Sequence, residues 1–138
     1  MIDIDFFKKV NDTYGHAEGD IVLRELGEIL LKNCRNFDIV SRNRGEEFTI
    51  LLLDCPKIRA VQIAKRVRSG VEAHPFIISD ETQININVSI GAANYPEDTN
   101  EVENLLKIAD MTLYTAKHTG RNKVCSGGAG YDVYQSDM

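Results

Sequence analysis

The feature that most constrains the fold is a short polar turn set between two apolar runs. The turn reads Arg42-Asn43-Arg44-Gly45-Glu46-Glu47-Phe48, with Ile39-Val40 before it and Thr49-Ile50-Leu51-Leu52-Leu53 after it. A tight connection containing Asn and Gly between two extended runs predicts a β-hairpin, because Gly accepts the positive φ that the turn needs. Adjacent strand residues point to opposite faces, so Glu46 and Glu47 cannot do the same job. The turn alone is compatible with a metal or phosphate site, and equally with a solvated turn.

The composition is typical of one soluble globular domain. The chain has 138 residues, of which 43% are hydrophobic and 27% are charged. This length is enough for one domain with one buried core. A formal charge of −5 argues against a nucleic-acid partner. It does not argue against a nucleotide, since a metal can neutralise phosphates beside carboxylates.

The sequence also bears on location. No apolar run approaches the length of a membrane span, and no signal-peptide pattern is present, so we expect no membrane contact from this segment. Cys34, Cys55 and Cys125 have no paired spacing, which indicates reduced thiols in a cytoplasmic protein.

The first residues alternate between apolar and acidic. This pattern predicts a strand with Ile2, Ile4 and Phe6 on one face and with Asp3 and Asp5 on the other. Acids at alternate strand positions are costly if they are buried without partners. Either a metal or a solvent-exposed face would explain them. Because the strand begins at residue 1, we expect that an upstream segment or another domain precedes it.

A polar stretch over residues 8–20 follows the first strand. Two glycines interrupt it, so it is predicted to form a short helical turn and then a loop. Asn11, His16 and Asp20 could line a pocket there, because an amide and a carboxylate together can read the edge of guanine. Each also has a simpler interpretation as a turn or cap residue, and Asp20 is a natural N-cap for the helix predicted over 21–35.

Periodicity places the remaining elements. Apolar stripes predict helices from about 57 to 73 and 101 to 118, and short strands are predicted at 76–78, 84–90 and 121–125. The last of these is expected to be an edge strand. In the helix predicted over 21–35, the stripe expected to be buried consists of Val22, Leu26, Ile29 and Leu30. Residues 126–138 lose their periodicity and are predicted to form a poorly ordered tail. The order of elements predicts an α+β, ferredoxin-like fold with helices on a mostly antiparallel sheet. In that fold the first strand lies beside the hairpin, so Asp3 can approach Glu46.

A series of motifs then appears in order along residues 1–124. They are Asp3-Ile4-Asp5-Phe6-Phe7-Lys8, Asn11-Asp12-Thr13-Tyr14-Gly15-His16, Gly19-Asp20, the turn 42–48, Val88-Ser89-Ile90-Gly91, Ala109-Asp110, Leu113-Tyr114, and Ala116-Lys117 through Gly120-Arg121-Asn122. Together they resemble the diguanylate cyclases, the GGDEF domains. The resemblance implies a palm-like catalytic domain over residues 1–125, in which two GTP molecules condense into cyclic di-GMP with loss of two pyrophosphates.

The resemblance also implies a metal site. Asp3 and Glu46, assisted by the backbone carbonyl of Ile4, would hold Mg²⁺ or Mn²⁺. Glu47 would either help to organise the metal or accept a proton, so Glu46 and Glu47 are the implied catalytic residues. Hard oxygen donors and phosphate oxygens are what Mg²⁺ prefers.

The residues implied to bind the substrate are Asn11, His16, Asp20, Gly45, Lys117 and Arg121. The first three would surround the guanine base, Gly45 would let the backbone approach the nucleotide, and the two cations would hold the terminal phosphates. A domain of this size has room for one GTP, so the reaction requires an isologous homodimer. Sensor or receiver domains precede such domains in the family, so one is expected upstream.

A second site is implied by the spacing Arg35-x-x-Asp38 before the turn, with Arg66 completing it. Without the resemblance, Arg35 and Asp38 are a surface ion pair of small value. With it, they are residues that bind cyclic di-GMP as a feedback inhibitor, since arginine forks suit guanine edges and phosphates.

One residue departs from the family pattern. Arg44 stands where the family carries the first of two glycines, and a non-Gly residue at positive φ costs about 1 kcal/mol or more. The hairpin could instead place positive φ on Asn43 and Gly45. Three functions therefore stay open: a cyclase of reduced activity, a cyclic di-GMP receptor without turnover, and a dimerisation domain without a ligand.

Overall fold

The computed structural model describes residues 1–127 and 132–134. The helices within these residues are α1 (Phe7–Tyr14), α2 (His16–Lys32), α3 (Lys57–Ala73) and α4 (Leu105–His118). The strands are β1 (Ile2–Ile4), β2 (Ile39–Arg44), β3 (Glu47–Leu51), β4 (Phe76–Ile77), β5 (Gln83–Ile84), β6 (Val88–Ala92), β7 (Val124–Ser126) and β8 (Asp132–Tyr134). The two short 3₁₀ segments are Ser79–Glu81 and Val102–Asn104.

Six strands form one sheet in the order β2-β3-β1-β6-β7-β8. Every neighbouring pair in it is antiparallel except β6 and β7. The strands β4 and β5 form a separate two-stranded sheet. The predicted fold, with helices on a mostly antiparallel sheet and the first strand beside the hairpin, is confirmed.

Different helices cover the two faces of the large sheet. Ile90 of β6 belongs to a core cluster that also contains Leu26 of α2 and Val67 of α3. The next residue, Gly91, faces the other way and lies against the backbone of α4 at Ala109. Since successive strand residues point to opposite faces, α2 and α3 pack on one face and α4 packs on the other.

The stripe predicted along α2 forms part of the first core. Val22, Leu26 and Leu30 are each 0% exposed, and Ile29 is partly buried against the same cluster. Burying a Val or Leu side chain completely stabilises the fold by about 1.5–3 kcal/mol. The spacing of these residues therefore decides which side of α2 faces the sheet.

The alternation of the first strand stops earlier than predicted. β1 ends at Ile4, and Phe6 is 63% exposed rather than buried. Phe6 has φ of 57° and caps the N-terminus of α1, so that Phe7 becomes the buried aromatic residue. The helix start interrupts the strand period, and the prediction that Phe6 shares a face with Ile2 and Ile4 is wrong.

The predicted loop before α2 is also wrong. Residues 8–20 are almost entirely helical, because α1 ends at Tyr14 and α2 begins at His16. A single residue, Gly15, separates them with φ of 103°, a conformation open to glycine at little cost. Asp20 therefore lies inside α2 and is not its N-cap.

The predicted strand over 84–90 is split between β5 and β6. Its apolar face was predicted correctly, since Ile84, Ile86, Val88 and Ile90 are all buried. The polar alternate Ser89 is buried as well, because it lies next to a carboxylate described below.

The end of the chain differs from the prediction in the position of β7 and in the strand residues of the predicted tail. β7 lies between β6 and β8 and is not an edge strand. Of the tail predicted over 126–138, Ser126 belongs to β7 and residues 132–134 form β8. Residues 128–131 and 135–138 lie outside the described residues.

Gly91 allows α4 to approach the sheet closely. A Cβ atom at this position would lie 2.2 Å from the carbonyl oxygen of Ala109 and 2.3 Å from the backbone nitrogen of Leu113. Backbone atoms of a packed helix cannot move aside as a flexible side chain can. A glycine inside a strand either weakens it or lets another group approach closely, and the second alternative applies to Gly91.

Gly91→Ala is expected to lower the free energy of unfolding by about 3 kcal/mol, the upper range for overpacking a core. Chemical denaturation monitored by circular dichroism would measure it. Gly70→Ala is the matched control, since Gly70 is exposed on α3 and a Cβ there meets nothing within 4 Å. It is expected to raise stability by about 0.5–1 kcal/mol. Equal effects of the two substitutions would contradict the close approach of α4.

Candidate active site

The acids of β1 and of the hairpin meet at the centre of the sheet. Asp3 of β1 is paired in register with Glu47 of β3, and side chains at such opposed positions lie on the same face. The amide of Ile4 also donates to the carbonyl of Glu46 at 3.4 Å, which joins the turn to β1. Strand pairing thus places β1 beside the turn, which is the arrangement that the expected approach of Asp3 to Glu46 requires.

A cation from α4 completes this cluster. Lys117 Nζ lies 3.0 Å from Asp3 Oδ1. Burial raises the pKa of Asp3, and the charges of Glu46 and Glu47 raise it further, while Lys117 acts in the opposite direction. Burial of the Asp3 carboxylate is therefore the main reason for the raised pKa, and Lys117 offsets part of it.

The donor atoms fit a divalent cation. Asp3 and Glu46 offer carboxylate oxygens and Ile4 a backbone carbonyl, which is the hard donor set that Mg²⁺ or Mn²⁺ accepts. Burial raises the pKa of Asp3, and a cation bound beside this carboxylate would favour its ionised form. Within residues 1–127 and 132–134, no three His, Cys, Asp or Glu side chains form a ready metal cluster, so phosphate oxygens would supply the remaining positions.

The variant turn carries no strain at Arg44. Arg44 is the last residue of β2, pairs with Glu47, and is exposed. Positive φ in the hairpin falls on Gly45, at 53°, the first of the two connecting residues, where type II′ hairpins place glycine. Asn43 does not share it, contrary to expectation, and instead occupies the register shift between Arg42 and Arg44.

Side chains hold the hairpin in this form. Arg42 Nε donates to the carbonyl of Gly45 at 2.7 Å. Asn43 Nδ2 donates to Glu47 Oε1 at 3.1 Å and to Thr49 Oγ1 at 2.5 Å. Asn43 therefore positions the carboxylate of Glu47 beside Asp3.

The residues expected to read guanine lie around the junction of α1 and α2. The side chain of Asn11 is pressed against Gly19, where a Cβ atom would be 2.0 Å from Asn11 Oδ1. Asn11 Oδ1 is buried and accepts no hydrogen bond from the described residues. Asp20 follows Gly19 directly and shares an exposed side of α2 with His16, four residues earlier. The three predicted base-reading residues are therefore brought to one region.

Each of the two cations predicted to hold phosphates lies near a different acid at the start of the chain. Lys117 contacts Asp3, and Arg121 Nη1 lies 3.8 Å from Asp5 Oδ1. The guanidinium of Arg121 also stacks over the exposed ring of Phe6, 4.6 Å from its centroid, a favourable cation–π arrangement.

The role of Asp5 does not follow from the sequence. This carboxylate is buried, and protein groups bond to both of its oxygens. It accepts hydrogen bonds from Ser89 Oγ at 2.6 Å and from the amide of Asn122 at 2.9 Å. The alternation of acids along β1 signalled an unusual site, but these partners are far away along the chain.

Arg35 and Asp38, the predicted product site, form a closely bonded pair. Arg35 donates through Nε and Nη2 to the two oxygens of Asp38, both at 2.9 Å, and through Nη2 to the carbonyl of Leu53 at 2.7 Å. Arg66 reaches the same corner, since its Nε donates to Asn33 Oδ1 at 2.8 Å. This corner lies at the end of α2.

Two cavities lie apart from the predicted site residues. One of about 570 Å³ is mainly apolar and lies between β3, α3 and the segment that follows β6. Another of about 480 Å³ lies between α1 and the strands around β5. Neither includes any residue predicted to bind metal, substrate or product. Phosphate chemistry needs charge, so the acid and cation cluster is the better candidate site.

Comparison with known proteins identifies the family. The profile described as "Diguanylate cyclase, GGDEF domain" matches residues 1–123. This chain therefore belongs to the GGDEF domain family.

Individual relatives agree with this. Diguanylate cyclase A of Treponema denticola is 44% identical over 124 residues, covering 90% of this chain and 33% of that protein. The crystal structure of the GGDEF domain of YfiN (TpbB) from Pseudomonas aeruginosa has a TM-score of 0.88 at 35% identity, covering 94% of this chain and 80% of that one. The GGDEF domain of DgcB from Caulobacter crescentus, solved in complex with c-di-GMP, has a TM-score of 0.81 at 29% identity, covering 91% and 74%.

The chain spans about a third of the length of the curated relatives that it matches first. Across residues 1–127 and 132–134, no helix combines the length and the apolar character needed to cross a bilayer.

Asp3 and Asp38 are expected to affect stability with opposite sign. The raised pKa of Asp3 means that its ionised form destabilises the folded state above the ordinary value of 3.8, whereas the lowered pKa of Asp38, caused first by its bond to Arg35, means that its ionised form stabilises it. At neutral pH, Asp3→Asn should raise the free energy of unfolding and Asp38→Asn should lower it.

The difference in free energy of unfolding between each variant and the wild type should disappear in acid, over a different pH range for each. For Asp3→Asn it declines as the pH falls through the raised pKa of Asp3. For Asp38→Asn it declines only as the pH falls below 3.8. Urea denaturation between pH 7 and pH 3 measures both. A loss of stability in Asp3→Asn at pH 7 would contradict the cost of burying the ionised Asp3 carboxylate.

Proposed function

We propose that this domain is a diguanylate cyclase that condenses two GTP molecules into cyclic di-GMP and two pyrophosphates. The observation that carries the proposal is the meeting of Asp3, Glu47 and Lys117 at the centre of the sheet. Acids that can hold a cation and a lysine that can hold phosphate are the two halves of a phosphoryl-transfer site.

Asp3 and Glu46, with the carbonyl of Ile4, would hold Mg²⁺ or Mn²⁺. When bound, the cation supplies charge neutralisation at the phosphates and favours the 3′-oxyanion. The competition between Lys117 and a cation for Asp3 suits this role, because Lys117 can then turn to phosphate.

In each condensation step the 3′-oxygen of one GTP forms a bond to the α-phosphorus of the other, and the bond from that phosphorus to pyrophosphate breaks. The hydroxyl proton passes to one of the adjacent carboxylates Glu46 and Glu47. Lys117 and Arg121 stabilise the negative charge that grows on the departing pyrophosphate. Glu47 is held by Asn43, which keeps its carboxylate beside Asp3.

Recognition of guanine would fall to Asn11 and Asp20, with His16 beside them. The buried Asn11 Oδ1 lacks a partner, and a guanine N–H would supply one. Gly45 leaves the turn without a side chain where the nucleotide would approach. Two protomers, each with one GTP, would face each other in an isologous dimer.

The domain is proposed to work in the cytoplasm downstream of a sensor or receiver domain. The three cysteines are unpaired in the described structure, which fits a reducing compartment.

Purified protein incubated with GTP and Mg²⁺ should form cyclic di-GMP, measured by chromatography of the products. Glu46→Gln is expected to reduce the rate by about a hundredfold or more, since it removes a charged ligand from the transition state. Arg44→Gly is the matched turn variant and should change the rate little, because Arg44 is exposed and unstrained. Activity that survives in Glu46→Gln, or appears only in Arg44→Gly, would contradict the proposal for the natural sequence.

A receptor without turnover is the second candidate. The observation that favours it is the preformed fork of Arg35 on Asp38, with Arg66 at the same corner. Arginine forks of this kind bind guanine and phosphate. In a cyclase, the same site would act as the feedback inhibitory site.

Arg35→Ala is therefore expected to weaken cyclic di-GMP binding by about tenfold or more, the value of a charged hydrogen-bonded contact. Calorimetric titration measures this. Arg24→Ala, an exposed arginine on α2, is the charge-matched control and should leave affinity unchanged. Tight product binding with no GTP turnover would establish the receptor, and an unchanged affinity in Arg35→Ala would exclude this corner as the binding site. If neither GTP nor cyclic di-GMP shifts the melting temperature, the dimerisation domain without a ligand is favoured.

A further inference from the structure

The turn that carries Arg121 has an unusual backbone. Arg121 and Asn122 follow α4 with φ of 64° and 48°, in the left-handed region that non-glycine residues rarely occupy. Two such residues in succession cost free energy and persist only when the surroundings hold them. The contacts that hold this turn therefore decide where the Arg121 side chain is presented.

Asp5 makes the central contact. Its Oδ2 accepts the amide of Asn122 at 2.9 Å, and its Oδ1 accepts Ser89 Oγ at 2.6 Å. Arg121 Nη1 lies 3.8 Å from the same Oδ1. One buried carboxylate thus bonds the backbone of the turn, is fixed by β6, and attracts the guanidinium that the turn carries.

A second contact holds the turn from the other side. Arg68 of α3 is buried, and its Nη1 donates to Asn122 Oδ1 at 3.0 Å. Asn122 Nδ2 donates in turn to Glu72 Oε2 at 2.5 Å. The side chain and the backbone of Asn122 are therefore both anchored, and Asp5 alone among these groups also faces Arg121.

The arrangement repeats a pattern that begins in β1. Asp3 lies in β1 and Asp5 follows the last residue of that strand. Asp3 meets Lys117 near the end of α4 at 3.0 Å, and Asp5 meets Arg121 in the following turn at 3.8 Å. The two acids are two positions apart in the chain and the two cations are four apart. The ring of Phe6 also packs against Arg121, with its centroid 4.6 Å from the guanidinium carbon.

We propose that Asp5 is a positioning residue for the terminal phosphates of the nucleotide. It acts through Arg121, by anchoring the turn and by directing the guanidinium towards the site. This inference rests on the proposed binding of GTP at the acid and cation cluster, and it assigns Asp5 no contact with metal or substrate.

Two substitutions separate the two parts of this role. Asp5→Asn keeps the shape of the side chain. Its Oδ1 can still accept the Asn122 amide and its Nδ2 can donate to Ser89 Oγ, but the negative charge that attracts Arg121 is lost. Asp5→Ala loses both. Asp80→Asn, at an exposed aspartate, is the control.

Calorimetric titration of the full chain with α,β-methylene-GTP, which cannot undergo the transfer, compares triphosphate binding with GMP binding. Asp5→Asn is expected to weaken binding of the triphosphate about tenfold and to leave GMP binding unchanged. Arg121→Ala should do the same. The double variant should be no weaker than Arg121→Ala, because both substitutions remove one interaction.

Additive losses in the double variant, or equal losses for GMP and the triphosphate in Asp5→Asn, would overturn the proposal. Amide hydrogen exchange without ligand tests the anchoring separately. Protection of the Asn122 amide should fall in Asp5→Ala and persist in Asp5→Asn, and protection unchanged in a folded Asp5→Ala protein would overturn the anchoring. A wild-type protein that binds neither nucleotide would refute the proposed function, while hydrogen exchange would still decide whether Asp5 holds the turn.

Discussion

The pairing of β1 with two neighbours is the constraint on which the rest of the site depends. Because β1 lies between β3 and β6, Asp3 is opposite Glu47 of the hairpin and meets Lys117 of α4. Burial of the Asp3 carboxylate raises its pKa. A fold that places carboxylates in this way loses stability at the site, and the surrounding core compensates for that loss.

The sequence predicted the parts of the fold that depend on local periodicity. The buried face of residues 84–90, the stripe on α2 and the hairpin all follow from spacing alone. Asp5 could not be interpreted in that way, because Ser89 and Asn122 lie 84 and 117 positions away in the chain. Burial of a charge depends on which partners the tertiary fold supplies, and a period of two along a strand carries no information about them.

The helix boundaries show a second limit. The glycines around residue 15 predict a loop, yet Gly15 alone connects two helices.

Arg44 in the hairpin shows the reverse case, because the local geometry accepts a residue that the family motif does not contain. Strand register assigns the left-handed conformation to Gly45, so the residue before it is free to be an arginine.

The close contact between Gly91 and α4 has a mechanical consequence. The helix that carries Lys117 touches the strand next to β1 at Gly91, which has no side chain. Sliding or tilting the helix against the strand would therefore force backbone atoms together. The acids and the cations consequently belong to a single stiff body. In such a protein, a regulatory signal could change little within the domain. The quantity that it could change is the distance between two such domains.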